Sequence, residues 1–168
     1  DVPLISSDTL AALVAMGGSG PALLTAQVAD SSGYGRILRD ASGALVGVVE
    51  HKDATEEQRE IDEINTGLLA APARDFLEYL PRVGNNNKQG EYYLPDILAM
   101  AVDEGRSVAS CLAVSELEVL GVNDRVQLNQ LEREYQRRQA EQLMRAGVTL
   151  ADINRLDVRG TLSCGLDV

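Results

Sequence analysis

The sequence predicts an α/β fold, a mixed and mostly parallel sheet with helices between its strands, followed by a long helical arm. Three observations predict it. Short apolar runs at 21–28, 45–49, 64–70 and 107–114 alternate with stretches of helical pattern, as in chains built from strand–helix units. Apolar residues make up 45% of the 168, enough to fill the core of one domain plus an appendage. The stretch 126–146 carries one narrow apolar stripe (Leu128, Leu131, Tyr135, Leu143, Met144) among Arg and Glu. That reads as an arm packed along one side, not as a core helix.

The elements follow in order. Asp1–Ile5 reads as the exit from a strand, and Ser6 or Ser7 caps an apolar helix that closes at Gly17. Pro21–Val28 reads as a buried strand. Gly33-Tyr34-Gly35 leads into Arg36–Arg39, and Asp40-Ala41-Ser42-Gly43 is a turn of hairpin length returning into Leu45–Glu50. Thr55 with Gln58 three residues on fits a capping box for a short acidic helix before the strand Ile64–Ala70. Pro72 and Pro95 each suit the first residue of a helix, the second helix running to Glu104 and closed by Gly105. Ser107–Val114 reads as a strand and Leu117–Val122 as another. Asp124 caps the long helix Val126–Ala146, roughly 30 Å at 1.5 Å per residue, which Gly147 ends. Beyond it Leu156, Leu162 and Val168 recur every six residues, a period that suits a parallel β-helix.

Composition narrows the function. Net charge is −11 and the only lysines are Lys52 and Lys88, which argues against a nucleic-acid or anionic-membrane surface. No apolar run approaches the roughly 18 residues of a membrane span, and no signal-peptide pattern opens the chain, so a cytoplasmic location is expected. Cys111 and Cys164 lie far apart with no histidine near either, which disfavours a zinc site and suits reduced thiols. Both ends read as cuts in a longer chain.

The candidate ligand groups lie between 33 and 93. Glu50 leaves one strand and Asn65 enters another, so a carboxylate and an amide stand on separate elements where a polar ligand could be held from two sides. The plainer reading, a solvated strand end and a turn residue, stands beside it. The glycines around Tyr34 serve either a close backbone approach to a ligand or a turn. Asn85-Asn86-Asn87-Lys88-Gln89 offers the donors and acceptors that hydroxyl-rich ligands use, as would any exposed loop. His51, the single histidine, has no spaced partner and reads as a rim residue beside Glu50. There is no Ser/His/Asp set, no Cys/His set and no phosphate-binding Gly loop, and the residues by themselves name no activity.

Six blocks in order, DVPLIS, SSGYGRI, VVEHKDAT–EINTGLL, NNNKQGEYYLPDIL, GVNDRVQLNQLERE and RGTLSCGLDV, resemble the bifunctional N-acetylglucosamine-1-phosphate uridyltransferase/glucosamine-1-phosphate N-acetyltransferase family. The resemblance covers essentially the whole chain. It implies the C-terminal part of a Rossmann-like uridyltransferase domain (1–125), a linker helix (126–146) and the first turns of a left-handed β-helix acetyltransferase domain (147–168). It further implies that Asp1 and Asn123 bind Mg²⁺, that Asn123 also touches the nucleotide-sugar, and that Gly35, Glu50 and Asn65 line an amino-sugar pocket.

The implied partners are UTP, N-acetylglucosamine-1-phosphate and UDP-N-acetylglucosamine, for peptidoglycan and lipopolysaccharide precursors, with a homotrimer as the assembly. In the implied reaction the sugar phosphate attacks the α-phosphate of UTP and expels pyrophosphate. Its nucleophile is already ionised, which accounts for the missing Ser, Cys or His machinery. The family's glycine-rich loop, phosphate-binding lysine and uracil contacts match nothing in this chain, so the chain alone is expected to be inactive. Pro95 stands where many relatives have Thr. A different class of reading, a non-catalytic connector or trimer-assembly module with residual sugar binding, rests on the arm and the six-residue period.

Overall fold

The computed structural model describes residues 2–122 and 124–168. It divides into two compact units, Ile5–Val119 and Leu120–Val168, the latter joined by residues 2–4.

The first unit is built on a five-stranded sheet. Its elements are α1 (Ser7–Gly17), β1 (Ala22–Gln27), β2 (Arg36–Arg39), β3 (Leu45–Val49), α2 (Glu56–Arg59), β4 (Glu63–Ala70), α3 (Ala73–Tyr79), α4 (Asp96–Asp103), β5 (Ala109–Leu112) and α5 (Glu116–Val119). The strand order is β3-β2-β4-β1-β5. Five successive residues of β1, Ala22 to Ala26, are buried, so this strand is covered on both faces. Leu23, Ile37 and Leu45 pack with Tyr79, Ile97, Leu98 and Ala101 of α3 and α4 into the main core. α1 packs on β1, β4 and β5, and Gly17 is needed there because a Cβ at that position would fall 2.5 Å from the Ala70 Cβ.

The local signals hold. Ser6 Oγ accepts the Thr9 amide of α1 at 3.1 Å. Thr55 and Gln58 form a complete capping box on α2, each side chain accepting the other's backbone N–H, at 2.9 and 3.2 Å. Pro72 and Pro95 stand at the cap positions just before α3 and α4.

The mostly parallel sheet is corrected. It is mixed: among the described residues only β1–β5 is parallel, while β1–β4, β2–β3 and β2–β4 are antiparallel. For β2–β3 the cause is a short connection: a parallel neighbour needs a crossover of about a dozen residues or more, usually helical, whereas the 40–43 turn closes a hairpin. The strand expected at Leu117–Val122 is also corrected, because α5 is a helical turn there. Its Glu118 carboxylate is turned inward, accepting from the Ser6 N–H at 3.0 Å, the Thr9 hydroxyl at 2.6 Å and the Val114 N–H at 3.2 Å.

The second unit consists of α6 (Arg125–Arg145), a 3₁₀ turn at Ile153–Arg155 and an irregular segment. Asp124 Oδ1 caps α6 by accepting the amides of Val126 and Gln127, each at 2.8 Å. Of the expected stripe, Leu131 is buried, whereas Leu128, Tyr135 and Met144 are exposed. Gln136 is buried and clamps the Val158 backbone, donating to its carbonyl and accepting from its amide at 3.2 and 2.8 Å. No strand forms among the described residues from 147 to 168. Instead Thr149 donates to the Val168 carbonyl and Asp167 to the Gly147 carbonyl, closing one irregular loop, and Leu162 and Val168 are exposed. A β-helix coil buries its apolar positions only against a stacked neighbour, and none is found among the described residues.

Candidate functional site

The site is a matter of sheet register. Arg36 pairs with Val49 across β2–β3 and with Ile64 across β2–β4, both antiparallel. One residue further along, the same pairing sets Glu50 and Asn65 on either side of Gly35. The Asn65 amide donates to the Gly35 carbonyl at 2.8 Å. Residues directly opposite in antiparallel strands face the same side of the sheet, so Glu50, Gly35 and Asn65 make one transverse rung, two polar side chains flanking a position with none.

That bare position is required. A Cβ on the buried Gly35 would lie 3.0 Å from Glu50 Oε1 and 2.9 Å from Val48 Cγ1. Glu50 and Asn65 then line a hollow of about 160 Å³ with Leu23, Leu69, Tyr92 and Tyr93. Asn65 Oδ1 accepts the Gly67 amide at 2.9 Å, a turn that the positive φ of Gly67 allows. The Asn65 Nδ2 donor stays uncommitted among the described residues. A second hollow of about 390 Å³ adjoins Glu50 and Tyr93 and is lined also by Asp53, Asn86, Asn87 and Asp96.

The acidic groups shape the field. Burial, then the neighbouring Asp53, Asp96 and Glu91 carboxylates, pushes Glu50 above the usual glutamate range. Burial and Asp53 do the same for Asp96. Asp53 anchors the Asn-rich loop, accepting the Lys88 N–H at 3.0 Å and the Tyr93 hydroxyl at 3.4 Å. Gln89 Nε2 in turn donates to that hydroxyl at 2.7 Å.

The loop is less open to ligand than its composition implies. The Asn85 and Asn87 side-chain amides donate to the Gly90 and Glu91 carbonyls, and Asn87 Oδ1 accepts the amides of Gln89 and Glu91. Among the described residues Asn86 alone of the three asparagines keeps its side chain free of such bonds. His51 is half-buried, with Nδ1 3.4 Å from Nη2 of Arg36.

The structure thus brings Gly35, Glu50 and Asn65 together. Asp1 and Asn123, the expected metal pair, lie outside the described residues. Among the described residues no cluster of three His, Cys, Asp or Glu could hold a metal ion, and no helix is long and apolar enough to cross a membrane. The tyrosines of GEYY and Asp53 carry more of the site than pattern assigns them. The one sequence signal for the tyrosines is their place at the end of the polar loop.

No protein-family model matches the chain. Curated relatives do. The bifunctional protein GlmU of Pseudomonas aeruginosa (strain LESB58) is 56% identical over 169 residues, covering 100% of this chain and 37% of that protein. Its namesake in Alkalilimnicola ehrlichii is 54% identical over 167 residues (99% and 36%), and that of Bordetella parapertussis 53% over 168 (100% and 37%). A solved Bacillus anthracis structure, described as a glucose-1-phosphate thymidylyltransferase in complex with a sucrose, aligns over 80% of this chain and 47% of its own. The TM-score is 0.47 at 14% identity, too slight a likeness to argue from. By sequence, the chain belongs to the bifunctional GlmU family and spans 37% of the length of its Pseudomonas relative.

Proposed function

We propose that the chain supplies the amino-sugar pocket of a cytoplasmic nucleotidyltransferase. The enzyme would transfer UMP from UTP to N-acetylglucosamine-1-phosphate, giving UDP-N-acetylglucosamine and pyrophosphate for peptidoglycan and lipopolysaccharide precursors. The observation that carries the reading is the Glu50–Gly35–Asn65 rung at the mouth of a hollow walled by Leu23, Leu69, Tyr92 and Tyr93. A carboxylate accepts from sugar hydroxyls, and the uncommitted Asn65 Nδ2 donates to an acetamido carbonyl. The apolar wall suits the acetamido methyl and the C–H face of the ring. Family membership over the full chain supports the same reading.

Such a transfer needs no activated side chain, because the attacking phosphate oxygen is already an anion. The contribution of these residues is alignment of the sugar phosphate. Asp1 and Asn123 are proposed as Mg²⁺ ligands. A carboxylate and an amide oxygen are the hard donors that ion takes, few in number because it keeps most of its waters. When bound, the ion would offset phosphate charge. The chain holds no glycine-rich phosphate loop, so by itself it is proposed to bind the sugar nucleotide without turning it over.

The test is calorimetry with UDP-N-acetylglucosamine, with and without Mg²⁺, on the wild type and Glu50→Ala. Loss of heat in the variant supports the pocket, and identical heats remove Glu50 from it. Pyrophosphate release by this chain from UTP and the sugar phosphate would contradict the proposed inactivity. A connector and trimer-assembly role is kept as a second reading, because Leu120–Val168 forms, with residues 2–4, a compact unit that contains α6. Light scattering decides it, with a trimer that binds no sugar nucleotide favouring that role.

A further inference from the structure

Arg36 is among the largest fully buried side chains of the described residues, 1% exposed, and among those residues no carboxylate pairs with it. Its Nη1 donates to the Tyr34 carbonyl, its Nη2 lies 3.4 Å from His51 Nδ1 and 3.5 Å from the Arg59 carbonyl, and its Nε finds no partner. Its charge reaches Asp30, whose carboxyl is held low first by its hydrogen bonds to Ser32 and less by Arg36. Desolvating a guanidinium without a counter-ion is costly, so packing alone does not account for it.

Its partners do. Tyr34 is the residue before Gly35, and His51 is the residue after Glu50. Arg36 sits one position along β2 from the rung, so its side chain leaves on the other face, among its pairing neighbours Val49 and Ile64.

We propose that Arg36 is a positioning residue for the amino-sugar pocket, a brace on the back of the sheet that fixes Gly35 and Glu50 by gripping Tyr34 and His51. The inference rests on the pocket reading above. Arginine has donors and no acceptor, so the contact to His51 requires a bare Nδ1, with the ring proton on Nε2. Lysine cannot replace the fork, because one ammonium cannot span two divergent acceptors in a fixed plane.

The experiment compares the wild type with Arg36→Lys, Glu50→Ala and Asp75→Asn. Asp75 is a buried charge, 1% exposed and paired with Arg106, that lines neither hollow. Each protein is measured for UDP-N-acetylglucosamine affinity, melting temperature, amide exchange at Asn65 and the ¹⁵N signature of the His51 ring. Expected for Arg36→Lys are about tenfold weaker binding, the size of one charge-assisted hydrogen bond, faster Asn65 exchange, and a His51 ring that no longer holds the Nε2–H form alone. Asp75→Asn is expected to lower the melting temperature and leave the other three readouts unchanged.

Wild-type affinity, or a loss no greater than that of Asp75→Asn at equal melting temperature, overturns the brace. Should Glu50→Ala bind as the wild type does, the pocket reading fails instead, and Asn65 exchange with the His51 signature then decides the brace alone. Where Arg36→Lys does not fold, His51→Phe takes its place in the affinity, melting and Asn65 exchange measurements, since it deletes one grip and leaves the guanidinium.

Discussion

Gly35→Ala is the sharpest probe of the rung. Carbon atoms in ordinary contact lie about 3.5–4.0 Å apart, so the new methyl, 2.9 Å from Val48 Cγ1 and 3.0 Å from Glu50 Oε1, overlaps both. Val48, opposite Ile37 on a paired strand, is β-branched and stiff at χ1, so its Cγ1 moves aside only by leaving its preferred rotamer. The Glu50 side chain can swing away, but only by leaving the hollow. Overpacking of this kind costs about 1–3 kcal/mol, or about 4–12 °C in melting temperature for a unit of this size. The backbone contributes no strain, because Gly35 is not among the glycines of positive φ. Gly84→Ala is the matched control. With nothing within 4 Å of its Cβ and no positive φ, it should be neutral or stabilise by about 0.4–1 kcal/mol. Circular-dichroism melts and sugar-nucleotide titrations read both variants. If Gly35→Ala melts and binds as the wild type does, the rung is not close-packed and the reasoning fails.

Three further outcomes are expected. Glu50→Gln should raise the melting temperature at neutral pH while weakening sugar-nucleotide binding. A carboxyl whose folded pKa is raised costs stability above that value, and the cost vanishes as pH falls through it, so the gain should fade on acidification toward the ordinary 4.5. A gain independent of pH would rule out the carboxylate as its source. For Glu118, burial acts to raise the pKa, but the hydrogen bonds from Thr9, Ser6 and Val114 outweigh it and hold the group below its usual range. Its contribution is therefore present at neutral pH and lost as pH falls through the lowered value. Glu118→Ala leaves buried donors unpaired, at about 3 kcal/mol, and a urea midpoint unchanged from the wild type would contradict this. Thr55→Ala removes half of the α2 capping box and should cost about 1 kcal/mol, with faster amide exchange at Gln58 as its local mark.

What could be read in the sequence was local. The caps at Ser6, Thr55 and Asp124 involve bonds two or three residues long, so residue order determines them. Strand pairing is not local. The hairpin-length turn at 40–43 points to the antiparallel β2–β3 pair, but nothing in Ile64–Ala70 says that β2 lies between β3 and β4, or that β4 meets it antiparallel. The amide-rich loop looked available because pattern counts donors and cannot see them turned inward on Gly90 and Glu91. Glu118 looked like a strand residue because an inward carboxylate is recognisable only once Ser6 and Thr9, more than a hundred positions earlier, arrive beside it. Arg36 carries no signal at all, since one arginine in a row of letters does not show its burial.

The rung draws its three members from positions 35, 50 and 65, on or at the ends of neighbouring strands that pair through backbone hydrogen bonds. The connections between them, the 40–43 turn and the 51–62 segment, do not form the rung itself. Lengthening the hairpin tip by two residues would therefore leave recognition intact so long as Arg36 still faces Val49. Deleting one residue inside β3 would slide that strand by one step and turn the carboxylate to the wrong face. The proposed sugar recognition is thus insensitive to how far the tip reaches, and acutely sensitive to a shift of a single residue in the sheet.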